Sequence, residues 1–385
     1  MSETQKHTKP NVPNLRFPGF EGEWECKQVK DIAPLQRGFD LPSQSLKEGM
    51  YPVVYSNGVM NYHREYKCEA PGLVTGRSGT IGKLTFIEEG KYWPHNTALW
   101  VTDFKNNYPK FIFYFYEHLD LSRFSSGSGV PTLNRNDVHA YKALVPSLLE
   151  QKRIASFLTL IDQRITLQNK VIEDLKKLKA ALNDKLHKQF GCGQAFSFSE
   201  IGDSYSGLSG KSSEDFGDGA PFVTYTNIYT NDVVDEDDFG YVRINDGESQ
   251  NQVQYGDLLF TLSSETPDEV GIGSVYLGST KELYLNSFSF GIHIKRSDVI
   301  FPPYLAHLVS SSQFRRFIYP FAQGSTRYNL QKNDFERTKY SFPIYENQVK
   351  ICSVLDSIAK KIAYEKDLLL NWCNMKQYLL YQLFI

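Results

Sequence analysis

The chain has 385 residues, of which 41% are hydrophobic and 22% charged; that composition excludes a disordered polymer, and the length suggests two domains with a connecting element. Aromatic residues reach 14%, mostly 24 Tyr and 26 Phe, a bias towards β-rich segments and broad contact surfaces. The net charge of −2 excludes a uniformly basic nucleic-acid binder, but it is unevenly spread: residues 1–190 hold 26 Lys+Arg against 20 Asp+Glu, and residues 191–385 hold 16 against 24.

No apolar run approaches the ~18 residues of a membrane span, and the polar start Met1–Pro10 lacks the apolar stretch of an export signal. Five cysteines (Cys26, Cys68, Cys192, Cys352, Cys373) lack C-x-x-C spacing, and the histidines show no paired ligand spacing. Reduced thiols in a cytoplasm are therefore expected, with Cys192 in a linker turn, the other four buried, and no metal site.

In chain order, an N-terminal segment (1–23) leads into a first domain (24–146). There Val53-Val54-Tyr55, Leu73-Val74-Thr75, Lys83–Phe86 and Ala98–Val101 are short β-type runs between Gly-rich turns. Pro109-Lys110-Phe111 opens a helix, since proline suits the first helical turn. From Ser147, apolar residues recur at three and four (Ile154, Leu158, Ile161, Ile165, Ile172, Leu175, Leu178, Leu182, Leu186), so 147–190 is a long helix with an apolar seam. A second domain (191–343) repeats the β-type runs at Leu258–Thr261, Ser274–Leu277 and Phe288–Ile292, and 344–385 is a second long helix.

The two halves are copies. At an offset of 197, Gly127-Ser128 falls on Gly324-Ser325, Leu133 on Leu330, Asn136-Asp137 on Asn333-Asp334, Pro146 on Pro343, Gln151 on Gln348 and Ile154 on Ile351. Upstream, Tyr51–Val54 matches Ala220–Val223, each followed by an asparagine at a strand end (Asn57, Asn227). The fold class is α+β: two domains in tandem repeat, each followed by a helix of roughly 35 residues, about 50 Å at 1.5 Å per residue. The helices are expected to pair as an antiparallel coiled coil.

Catalytic patterns fail on inspection. Phe301-Pro302-Pro303-Tyr304 contains a P-P-Y, but the Asn or Asp that an amino-methyltransferase needs in the first position is Phe. Pro267-Asp268 lacks the spaced acid-x-Lys of a nuclease, and no G-x-x-x-x-G-K-[ST] appears. Gly76–Lys83 is glycine-rich but lies between strands.

Pro13-Asn14-Leu15-Arg16-Phe17-Pro18-Gly19-Phe20 with Glu23-Trp24, the Thr80-Ile81-Gly82 turn, and Pro146, Glu150, Gln151, Ile154 at the first long helix resemble the specificity subunits of type I restriction-modification enzymes. The second helix start keeps Pro343, Gln348 and Ile351 but carries Asn347 in place of Glu. The resemblance implies two target-recognition domains, each reading half of a split double-stranded DNA site, with the helices fixing the spacer. It implies a non-catalytic subunit that docks two modification subunits using S-adenosylmethionine and two restriction subunits using ATP and Mg, with no cofactor on this chain. A coiled-coil scaffold without sequence-specific reading is the alternative.

Under that resemblance, the expected DNA contacts in the first domain are Asn57, Arg77, Ser78, Thr80, Lys83, His95, Asn96, Thr97, Ser126, Ser128 and Thr132. In the second they are Asn227, Ser263, Ser264, Gln323, Ser325, Thr326, Arg327 and Asn329. Arg and Asn are the usual bidentate readers of guanine and adenine, and Ser and Thr mostly hold phosphates, so Arg77 and Arg327 lead the set. The acidic run Asp232–Asp238 is expected to be a solvated loop away from DNA or facing a partner.

Overall fold

The structure is a computed structural model describing residues 11–126, 131–191 and 193–385. It divides into two compact units, Met1–Asn169 with Asp367–Ile385, and Lys170–Lys366. The division falls within the long helices, so their halves belong to the units and are not separate spacer domains. The helices run Leu148–Phe190 (43 residues) and Tyr345–Leu383 (39 residues), inside the expected spans 147–190 and 344–385, and no Gly or Pro interrupts them.

The first unit contains two four-stranded sheets. One orders Leu35–Arg37, Ala98–Val101, Gly72–Gly76 and Leu84–Ile87, all antiparallel. The other orders Gly58–His63, Tyr51–Tyr55, Lys91–Pro94 and Cys68–Glu69, with one parallel pairing between Tyr51–Tyr55 and Lys91–Pro94. Helix Pro109–Leu119 begins on its proline and buries Phe111, Ile112, Tyr114, Phe115, Tyr116 and Leu119, so it is buried over most of its circumference and packs against the first sheet. That core also takes Ile154, Leu158 and Ile161 from the first long helix, Leu379, Leu380 and Leu383 from the second, and Phe384 just beyond it. The two helix segments run antiparallel: Lys376 Nζ lies 2.8 Å from Asp162 Oδ1, and the Arg164 guanidinium sits over Trp372, 5.7 Å from the ring centroid.

The second unit repeats the plan. Gly202–Ser206, Ser289–Ile294, Leu258–Thr261 and Gly273–Val275 form an antiparallel sheet, and Phe239–Val242, Phe216–Val223 and Tyr284–Leu285 form a three-stranded one. Its core is a phenylalanine cluster in which Phe198 stacks on Phe335 at 4.7 Å and Phe260 on Phe290 at 5.5 Å. Leu182, Leu186 and Phe190 of the first long helix pack against a core that includes Ile351 and Leu355 of the second. Each unit is closed by one strand pair, Glu25–Gln28 with Lys142–Val145 and Gln194–Ser197 with Lys339–Phe342.

The repeated glutamines explain why the copies share a shape. Gln151 Nε2 donates to Pro146 O (3.0 Å) and Asn107 Oδ1 (2.8 Å), while Oε1 accepts the Tyr108 N–H (2.8 Å). Gln348 Nε2 donates to Pro343 O and Val299 O (2.8 Å each), and Oε1 accepts the Phe301 N–H (2.9 Å). Tyr108 and Phe301 immediately precede the helix-opening prolines, so each glutamine ties a short helix to the start of a long one.

Two expectations about cysteine change. Cys68 and Cys352 are buried, but Cys26 is exposed and Cys373 half-buried, because both occupy outward positions of their elements; Cys192 lies outside the described residues. No helix among the described residues is long and apolar enough to cross a membrane.

Candidate nucleic-acid interface

In the first unit, the expected residues converge at the ends of several strands. The Arg77 N–H donates to Thr97 O (3.1 Å), and Arg77 O accepts the Leu133 N–H (2.8 Å). Ser78 bridges to Thr132, which brings the 76–83 loop against the strand pair Ser125–Ser126 and Thr132–Leu133. Gly76 permits this convergence: a Cβ there would lie 1.6 Å from Thr80 O and 2.7 Å from Ser56 O. On the same side, Lys83 Nζ donates to Asn57 O at 2.6 Å, so the turn carrying Asn57 joins the cluster.

His95 stacks on Tyr55 (4.1 Å) and its Nδ1 lies 3.0 Å from Thr97 Oγ1. Burial holds the imidazole below its usual pKa, which keeps it neutral. Asn96 donates to Asp40, so its amide is already engaged. Thr80, Lys83 and Asn57 are exposed. Ser126 is placed by its backbone alone, and Ser128 lies outside the described residues.

A concavity of about 400 Å³ borders this strand pair, lined by Arg37, Arg77, Leu99, Thr132, Leu133, Asn134, Arg135 and Asn136. Three guanidiniums and two carboxamides surround it, a set suited to phosphate and base-edge contacts. Arg37, Asn134, Arg135 and Asn136 were not among the expected contacts, although Asn136 marks the repeat. Their signal was the N-cap: Asn134 Oδ1 accepts the Asn136 N–H (3.0 Å), starting helix Arg135–Ala140 beside Leu133.

The second unit builds the equivalent place from different side chains. Ser263–Ser264 pairs with Tyr328–Leu330, which pairs with Ala322–Gln323. Here Leu262 O accepts the Leu330 N–H (2.8 Å), so Leu262 occupies the position of Arg77. Arg327 comes instead from the turn of the neighbouring hairpin, and its Nε and Nη2 donate to Ser263 Oγ at 3.2 and 3.0 Å. The two leading arginines therefore occupy different positions of the repeat. Gln323, Ser325, Thr326, Arg327 and Asn329 are exposed together on that hairpin, while Ser263 and Ser264 are buried.

Asn227 is a correction. It lies in helix Tyr225–Thr230, not at a strand end, and is fully buried. Its Nδ2 donates to Asp235 O and Asp238 O (2.8 Å each) and its Oδ1 accepts the Asp235 N–H (2.9 Å), so the side chain holds the acidic loop and offers nothing to a ligand. That loop is exposed but pinned, because Glu236 Oε1 also accepts from Tyr276 Oη (3.0 Å) and Thr280 Oγ1 (2.7 Å).

The second concavity, about 710 Å³, is lined by Tyr225, Tyr229, Ser263, Ser264, Glu265, Glu269, Thr326 and Arg327. Tyr225 and Tyr229 stack nearly parallel at 6.0 Å, and Tyr225 Oη donates to Ser263 O (2.9 Å). Hydrogen bonds from Tyr229, then Ser264 and Thr266, hold the Glu269 carboxyl below the usual carboxylate range. Two carboxylates and one guanidinium repel phosphate more than they attract it. A fixed carboxylate can instead accept from the amine of a cytosine, which makes this concavity suited to base edges.

The family model for the type I restriction modification DNA specificity domain matches residues 21–177 and 195–371. Among solved structures, the chain resembles the type I restriction-modification S subunit from M. genitalium (TM-score 0.55, 15% identity, 97% of this chain and 99% of that one). It also resembles a chain from a study of complex assembly and conformational transition of the type I R-M system (TM-score 0.57, 16% identity, 96% and 98%). With one match on each repeat, this chain belongs to the type I restriction-modification DNA specificity family.

Proposed function

We propose that each unit reads one half of a bipartite double-stranded DNA site through its loop cluster and concavity, and that the chain itself is non-catalytic. The observation that carries this reading is the repetition of one polar loop cluster at the same topological place in two units, built from different side chains in each. Shared backbone with divergent side chains is what two readers of different sequences need. In the first unit Arg77, Lys83 and Arg135 supply phosphate and guanine contacts; in the second Arg327, Asn329 and Glu269 do the reading with less help from charge. The long helices set the spacer between half-sites and, with their exposed apolar residues, form the docking face for modification subunits; restriction subunits join that complex in the cytoplasm. S-adenosylmethionine, ATP and Mg belong to those partners.

The test exchanges residues 196–343 for the equivalent segment of a relative and maps the methylated sequence of the reconstituted complex. One half-site changes and the other stays. A change in both halves, or methyl transfer by the chain alone, overturns the reading.

A further inference from the structure

In the second unit, away from the loop cluster, three ligating side chains meet where the second long helix packs on helix Pro302–Val309. Cys352 and Asp356 stand one turn apart on the long helix, and His307 faces them; one ligand atom from each lies within 4.8 Å of the others. His307 and Cys352 are 4% and 3% exposed, whereas the Asp356 side chain is 48% exposed. The His307 Nε2–Asp356 Oδ1 distance is 2.7 Å. A carboxylate accepts that bond, so Nε2 is the ring nitrogen that meets Asp356, and a cation shared by the two residues would take the place of its proton. Yet Nδ1 is buried with no hydrogen-bond partner, as is Oδ1 of Asn183, whose amide donates to His307 O at 2.9 Å. Nδ1 lies on the far side of the ring from Asp356, so these two orphans mark polar space beside the cluster, and the ion's own place is between Nε2, Cys352 and Asp356.

The first unit supplies an internal control. Tyr114 and His307 are both the sixth residue of proline-opened helices, and Ala155 and Thr159 follow Gln151 as Cys352 and Asp356 follow Gln348. There Tyr114 Oη donates to Asp162 Oδ2 at 2.7 Å and lies 3.2 Å from Thr159 Oγ1, so the hydroxyl is fully engaged. The first unit thus holds a tyrosine, an alanine and a threonine at these three positions, with its carboxylate supplied by Asp162, where the second unit carries His307, Cys352 and Asp356.

We propose that His307, Cys352 and Asp356 bind one divalent cation of the zinc class, leaving an open fourth position. Thiolate, imidazole and carboxylate together select zinc-like ions over magnesium or calcium, which prefer oxygen alone. Bond lengths of about 2.0–2.3 Å to a tetrahedral ion put the ligand atoms roughly 3–4 Å apart, so an ion would widen the 2.7 Å His307–Asp356 contact and hold the set inside its present 4.8 Å limit. The half-exposed Asp356 gives the ion an entry path.

The test is titration of the reduced, chelator-treated full chain with cobalt(II), followed by zinc(II). A thiolate-to-cobalt charge-transfer band should saturate at about one equivalent and vanish on adding zinc, as expected for a single site of zinc-type donors. Cys352→Ala should abolish the band. The triple change His307→Tyr, Cys352→Ala, Asp356→Thr, which copies the first unit, should abolish it while leaving the far-ultraviolet helix signal intact. Should either of those fail to fold, Asp356→Asn at the half-exposed position should weaken cobalt binding about tenfold or more. Absence of the band in the parent chain, its survival in Cys352→Ala, or unchanged affinity in Asp356→Asn overturns the proposal.

Discussion

Replacing Gln348 by Leu keeps the volume of a fully buried side chain and removes three hydrogen bonds, to the Phe301 N–H, Val299 O and Pro343 O. The Phe301 N–H then has no partner in a dry place, which costs about 1–3 kcal/mol, and the two carbonyls lose a bond worth roughly 1 kcal/mol each. Greater apolarity of Leu offsets part of this, so the net loss should be about 2–4 kcal/mol. Gln151→Leu removes the same number of bonds, from Tyr108 N–H, Pro146 O and Asn107 Oδ1, and should cost a similar amount. Two units need not unfold together, so a global transition would blur the effects. Native-state hydrogen exchange at the Tyr108 and Phe301 amides reads each unit separately. Protection at Phe301 should fall in the Gln348 variant alone, and at Tyr108 in the Gln151 variant alone. Unchanged protection in both would refute the idea that the repeated glutamine fastens the two helices.

Arg77→Ala should weaken binding of one half-site: by about 1–3 kcal/mol with relaxed base preference if it reads guanine, or with a salt slope smaller by about one if it holds phosphate. Arg327→Ala should affect only the other half-site, and quantitative binding to randomised half-sites separates these outcomes. Lys376, whose side chain is 12% exposed, sits 2.8 Å from both Glu117 and Asp162; Lys376→Met leaves those carboxylates facing each other and should destabilise the first unit by about 3–5 kcal/mol in denaturant titration. His139 accepts the Leu35 N–H at Nε2 (2.8 Å), and burial, then the Arg135 charge, depresses its pKa. The unfolded chain therefore binds a proton that the folded one refuses, and this contribution is present at neutral pH and lost as pH falls below about 6.5. His139→Gln should reduce, not abolish, the fall in stability between pH 7 and 5, since His95, His118, His187 and His307 are depressed by burial as well; an unchanged slope would remove His139 as a cause.

The sequence carried the repeat, the long helices and seven of the strands, because periodicity and punctuation are local signals. The strand runs at Leu73–Thr75 and Leu258–Thr261 lie within Gly72–Gly76 and Leu258–Thr261, and Pro109 and Pro302 do open helices. The site was less legible. Asn227 matched Asn57 in sequence context, but immediately after the strand's end at Val223 the chain turns into a helix capped by Thr224, whose Oγ1 accepts the Asn227 N–H at 3.0 Å. Arg77 and Arg327 looked like counterparts by chemistry, and only backbone pairing shows that Leu262 holds the place of Arg77. Tyr225, Tyr229 and Glu269 converge across some forty residues of chain, a distance no local pattern spans. The same holds for His307, which lies 45 residues before Cys352, although the Cys352–Asp356 turn spacing was visible.

Because the first unit takes Asp367–Ile385 into its core while the second is the unbroken stretch Lys170–Lys366, order of synthesis and order of completion are reversed. The segment made first must wait, with Trp24, Phe111 and Leu158 lacking part of their cover, until Leu379, Leu383 and Phe384 have been made. The segment made later needs nothing from downstream of itself. In the language of gene rearrangement, the second reader is a cassette inserted into the first. Both of its joints lie inside helices, where a cut that preserves helical register leaves the host core with every residue it needs.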